Sequence, residues 1–116
     1  MKYVLLVYAD QSAWKEMTEA EQAAARAESM PRWIALFEEL VKADPTVAGY
    51  ELAAASEARV VRVRDGKRIV TDGPYAETKE VLGGLFLTEL SDLDEAIRLA
   101  ALVPTAEHGS MEIRPI

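Results

Sequence analysis

Two segments of this chain, Tyr3–Ala9 (YVLLVYA) and Val81–Leu90 (VLGGLFLTEL), are apolar at odd and even positions alike. Successive side chains of an extended strand point to opposite faces, so each segment presents hydrophobic residues on both. In the first, Tyr3, Leu5, Val7 and Ala9 line one face and Val4, Leu6 and Tyr8 the other; in the second, Leu85 and Leu87 oppose Phe86 and Leu90. Strands of this kind belong in the middle of a sheet that is covered on both sides. No other feature narrows the folds open to these 116 residues as much.

The segments between them alternate helix and strand signals. Thr18 and Glu21 form a capping box ahead of the alanine-rich run AEQAAARAESM, which predicts a helix. Pro31 either kinks that helix or opens a second one capped by Ser29. Trp33, Ile34, Phe37, Leu40 and Val41 recur at helical spacing and read as a core-facing stripe. Asp44-Pro45 ends the helix, because the residue before proline avoids helical backbone angles. TVAGYEL is a short strand, and ARVVRVRDGKRIVT is a hairpin closed by a type I′ turn at Asp65-Gly66. That register puts Val61, Val63 and Val70 on one face and Arg64 opposite Lys67. Arg62, Arg64, Lys67 and Arg68 then form a solvated tip more readily than an anion site. Ser91 and Asp94 start a last helix with Leu93, Ile97, Ala100 and Ala101 inward, and Pro104 ends it. SMEIRPI is a one-sided final strand, with Met111 and Ile113 inward and Glu112 and Arg114 outward.

With the hairpin set aside, the order is β-α-β-β-α-β, the ferredoxin-like α+β arrangement, in one domain spanning residues 1–116. Its first and third core strands are the central ones, and these are the two doubly apolar segments. Two helices cover only one face of such a sheet. The other face needs a second copy of the chain, so the expected partner is a homodimer mate packed sheet on sheet.

Composition removes several function classes. The net charge of −7 argues against nucleic-acid binding, which needs a basic footprint. No run approaches the roughly 18 apolar residues of a membrane span. The seven-residue run at the start is short for a secretion signal, so the expected location is the cytoplasm. The chain has no cysteine and one histidine, and its scattered carboxylates show no metal-ligand spacing. Gly83-Gly84 lies inside an apolar strand, where it marks a bulge or close backbone approach rather than a phosphate loop. Nothing in the sequence calls for a cofactor.

The stretch TDGPYAETKE (71–80) is the densest polar feature beside a buried strand. With VRDGKRIV before it, a closing MEIRPI and the opening MKYVLLVYAD, it resembles the YCII-related proteins of the DGPF subgroup over the whole chain. Asp72-Gly73-Pro74-Tyr75 carries tyrosine where that subgroup usually has phenylalanine. The resemblance implies ferredoxin-like subunits, with an inserted β-hairpin, that pair into a dimeric α+β barrel. Similar proteins are often encoded beside extracytoplasmic-function sigma factors, which raises a regulatory partner as an alternative to catalysis. Some members of the wider group use a His–Asp pair with the histidine in the N-terminal half; this chain has none before His108.

The motif supports two readings. In one it is only a rigid turn: Gly73 supplies unusual backbone angles, Asp72 accepts from nearby N–H groups, and Glu77 sits in the first turn of a helix opened by Pro74. In the other it rims a pocket for a small apolar or aromatic molecule. There Asp72 is the base or orienting group, Glu77 a proton shuttle and His108 a further candidate base. Tyr8, Asp10, Trp14, Tyr75 and Glu80 complete the ligand-binding wall. The chemistry expected of such a site is a cofactor-independent lyase or isomerase step through paired acid and base groups.

Overall fold

A computed structural model describes residues 1–116. Strand β1 (Lys2–Ala9) leads through a short helix α1 (Ser12–Glu16) into a long helix α2 (Glu19–Ala43). Then follow β2 (Ala48–Glu51), the hairpin β3 (Arg59–Arg64) and β4 (Lys67–Asp72), β5 (Val81–Glu89), α3 (Leu93–Ala101) and β6 (Ser110–Pro115). Four strands form an antiparallel sheet in the order β2-β5-β1-β6, and β3-β4 stands apart as a two-stranded sheet. The two doubly apolar segments are the central strands, and the fold is ferredoxin-like.

The core lies between one face of this sheet and helices α2 and α3. It gathers Tyr3, Leu5 and Val7 of β1, Phe86 of β5, Leu90, Leu36 and Leu40 of α2, Ala96 and Leu99 of α3, and Val103. Met111 and Ile113 of β6 pack against it, as their alternation predicts.

The Thr18–Glu21 capping box forms in both directions, each side chain accepting from the other's backbone N–H at 3.1 Å. Pro31 lies inside a continuous α2 and opens no second helix. The stripe read from α2 holds in part: Leu40 is buried and Trp33 packs against the core as expected, but Leu36 is the other buried residue, whereas Ile34, Phe37 and Val41 are exposed. Helix α3 differs likewise. Ala100 is buried as expected, together with Ala96 and Leu99, while Leu93, Ile97 and Ala101 are exposed. Its N-cap is Asp92, whose carboxylate accepts the Glu95 N–H at 2.9 Å, in place of Ser91. It ends at Ala101, and Pro104 opens a separate 3-10 turn, Pro104–Glu107. Helix α1, with no buried residue, has no apolar periodicity from which to read it.

The hairpin register is the expected one, with Arg64 opposite Lys67 and Val61 opposite Val70. Asp65 and Gly66 both take positive φ, 52° and 73°, as a type I′ turn requires. Gly83 is the bulge: Val7 pairs with Gly84 and Tyr8 with Leu82.

The segment after β4 departs from its turn-and-cap reading. No helical turn follows Pro74, so Glu77 occupies none. Asp72 ends β4 opposite Arg59 and pairs with that guanidinium at 3.4 Å rather than with backbone N–H groups. Gly73 has no positive φ. It is needed for space, because a Cβ there would lie 2.6 Å from Ala58 Cβ. Its N–H donates to the Ala58 carbonyl at 2.8 Å, and the Gly73–Pro74 bond is cis.

Candidate functional site

Between α2, α1 and the helix-covered sheet face lies a cavity of about 800 Å3. That is within the usual range of small-molecule sites, about 300–1,000 Å3. Its apolar wall includes Val7, Trp14, Trp33, Phe37, Phe86 and Pro104.

Small residues keep the sheet side open. A Cβ on Gly84 would come within 3.0 Å of the Tyr50 carbonyl, and one on Gly49 within 2.7 Å of the Phe86 ring. At the bulged Gly83 a Cβ would meet nothing nearer than Gln11 Nε2 at 3.4 Å.

Polar groups line the rim. Arg26 of α2 forms a bidentate pair with Glu51 of β2, at 3.2 and 3.0 Å, and lies over the Trp14 ring at 5.0 Å. Glu51 accordingly raises the Arg26 pKa above its ordinary value, through hydrogen bonding first and charge second. Gln22 Nε2 donates to the Trp14 carbonyl at 2.9 Å, tying α1 to α2. Gln11 Oε1 accepts the Ala55 N–H at 3.2 Å, tying the start of α1 to the β2–β3 loop. Asp10 accepts from the Ser12 hydroxyl at 2.7 Å and its N–H at 2.9 Å. These bonds hold its carboxyl below the usual range. On the other side, Arg32 of α2 pairs with Glu107, bracing the 3-10 turn that carries His108 to the rim.

The eight residues singled out in the sequence fall into separate places. Asp10, Trp14 and His108 line the cavity. Tyr8 points to the opposite sheet face, where its hydroxyl donates to Glu112 Oε1 at 3.3 Å. Burial first, and then the Glu112 carboxylate, raise the Tyr8 pKa. Glu80 accepts from the Ser110 hydroxyl at 2.7 Å. Asp72 and Tyr75 lie at the hairpin, Asp72 against Arg59 and the Tyr75 ring 5.6 Å from the Arg62 guanidinium. Glu77 is exposed. Neither Asp72 nor Glu77 lines the cavity that His108 lines. Arg26, Glu51 and Gln11 went unread in the sequence because their partners lie on other elements. Trp33, expected in the core stripe of α2, packs against the core and also lines the cavity.

Fold and site together define a class: a ferredoxin-like α+β subunit with a ligand-sized cavity between its helices and its sheet. The YCII-related domain matches residues 1–116, and the chain belongs to that family. It is also similar to an uncharacterized protein of Rhizobium meliloti (strain 1021), 35% identical over 118 aligned positions that cover 100% of this chain and 92% of that protein.

Proposed function

We propose that this YCII-related protein binds a small apolar or aromatic molecule in the cavity under α1. The observation that carries this reading is the placement of both tryptophans of the chain, Trp14 and Trp33, on one ligand-sized cavity. Burying about 200 Å2 of apolar ligand surface is worth roughly 5 kcal/mol at about 25 cal/mol per Å2. That alone corresponds to a dissociation constant of roughly 0.2 mM. Tighter binding needs a polar contact, for which the Gln11 amide, the Asp10 carboxylate and the His108 imidazole are the candidates at the rim. Binding without turnover is favoured over a lyase or isomerase step, because His108 alone of the Asp72, Glu77 and His108 trio lines the cavity.

Pairing of two copies through the uncovered sheet face belongs to the same reading. Val4, Leu6, Leu85, Leu87 and Tyr50 project from that face by strand alternation, and no helix covers them.

A thermal-shift screen of small aromatic acids, amines and neutral compounds tests the binding reading. A ligand at about 100 times its dissociation constant stabilises by about 2.7 kcal/mol, a shift of several degrees for a chain of this size. The Gly83→Leu variant, filling the cavity from the sheet side, loses that shift. Equal shifts in the two proteins would place binding elsewhere and refute the assignment.

A further inference from the structure

Helix α2 and the β3–β4 hairpin each lack the layer that the other carries. Helix α2 overhangs the sheet beside β2, which is an edge strand. There Met30, Ile34, Phe37 and Val41 are 48, 52, 43 and 39% exposed. They line a groove of about 590 Å3 that Leu36 and Phe86 also line. The Phe37 ring lies 3.8 Å from where a Cβ on Gly49 of β2 would sit, so the groove begins where the sheet stops. A helix packed on a sheet normally has strands beneath its apolar face, and an edge strand offers a row of free backbone N–H and C=O groups.

The hairpin has the converse deficiency. It pairs with no strand of the main sheet, and a lone two-stranded hairpin is marginally stable in water. One of its faces receives Tyr75 over Arg62. On the other, Val61, Val63 and Val70 are 60, 62 and 55% exposed. The radius of gyration is 16.2 Å, against roughly 13 Å for a compact chain of this length.

We propose that two copies of the chain exchange these hairpins, each seating Val61, Val63 and Val70 on the Met30–Ile34–Phe37–Val41 stripe of the other, alongside edge strand β2. Charge favours a second copy as the occupant. Among the basic side chains of the hairpin only Arg59 is ion-paired, with Asp72, which leaves Arg62, Arg64, Lys67 and Arg68 on a chain of net charge −7. Arg68 lies opposite Val63, on the valine face; of the two charged residues lining the groove, Glu38 and Lys42, Lys42 is paired with Glu39 at 3.4 Å, which leaves Glu38 to meet Arg68. The exchange uses a different surface from the sheet face and stands without it. It also reaches the cavity: Leu52, Ala53 and Ala54, just before the hairpin, line its wall, and the Ala55 N–H is bonded to Gln11. A seated hairpin therefore steadies that wall.

The chain has no cysteine, so introduced thiols report without background. Val63→Cys and Ile34→Cys both replace exposed residues. Under mild oxidation the double variant is expected to run as a disulfide-linked dimer on non-reducing gels, and each single variant as a monomer. An equimolar mixture of the two single variants also crosslinks, which a hairpin folded onto its own helix cannot do. A double variant that forms its disulfide within one chain, or forms none, overturns the proposal, as does crosslinking of either single variant to the same extent.

Discussion

Asp44 does more than end a helix. Its Oδ1 accepts the Thr46 N–H and hydroxyl at 2.9 and 2.6 Å, and its Oδ2 accepts the Thr88 hydroxyl and the Glu89 N–H at 3.2 and 2.8 Å. Thr46 hydrogen bonding foremost, with the Glu89 N–H next, holds its pKa down to about 2 from an ordinary 3.8. A carboxyl depressed in the folded state contributes its stability above the unfolded value and loses it as pH falls through the folded one. The Asp44 contribution is thus complete at neutral pH and lost from about pH 4 down to about pH 2. Asp44→Ala, which leaves the buried Thr88 hydroxyl unsatisfied, should cost about 2 kcal/mol at pH 7 in urea titrations. Its difference from the parent chain should shrink as pH falls from about 4 toward 2. Sequence alone showed Asp44-Pro45 as a stop signal; the Thr88 contact, 44 residues away, left no local trace. Gly73 reads in the sequence as a source of unusual backbone angles, but what the fold requires of it is space against Ala58.

At the scale of elements, strands were read more accurately than helix faces. Alternation in β1, β5 and β6 identifies both faces without ambiguity, because a one-residue error inverts the whole strand. The apolar stripes of α2 and α3 are wider than the surface that covers them. Periodicity finds the stripe but not which part of it a neighbour reaches, so Ile34, Phe37, Leu93 and Ile97 were assigned inward and lie exposed. The candidate site shares this limit. Asp10 and Trp14, expected as wall residues after the first strand, and His108, singled out as the one histidine, line the cavity, whereas the Arg26–Glu51 pair needs the fold to bring helix and strand together. Two predictions belong at this scale. Thr18→Ala removes the α2 N-cap and should cost about 1 kcal/mol in thermal or denaturant unfolding. Trp14→Ala strips the cavity wall from a helix with no fully buried residue and removes the Arg26 cation–π contact, so stability should fall by only about 1 kcal/mol. Ligand affinity in the same variant should fall severalfold by titration.

The whole molecule is built around two central strands that are apolar on both faces, with helices on one face only. The free face, the overhanging α2 and the projecting hairpin all leave apolar surface in water. An apolar excess of this kind marks an interaction surface more often than an isolated monomer. Replacing Leu85 and Leu87 together by glutamate places charge on the face proposed to pair. Sedimentation should then show weaker self-association of the 12.8 kDa chain than in the parent, with helical circular dichroism retained. A dimer of unchanged affinity in that variant would remove the sheet face from the interface.

The central claim, that the cavity under α1 binds a small apolar or aromatic molecule, has a built-in reporter. Trp14 and Trp33 are the only tryptophans, and both line it. Titration with 1-anilinonaphthalene-8-sulfonate, followed by energy transfer from tryptophan, measures probe binding near these side chains; because Trp33 also lines the α2 groove, the Gly83→Leu variant assigns the signal to the cavity. The account predicts saturable binding of one probe per chain, abolished in Gly83→Leu while the melting temperature stays close to that of the parent. Saturable binding of the same affinity in Gly83→Leu, or no transfer at any probe concentration, would contradict it.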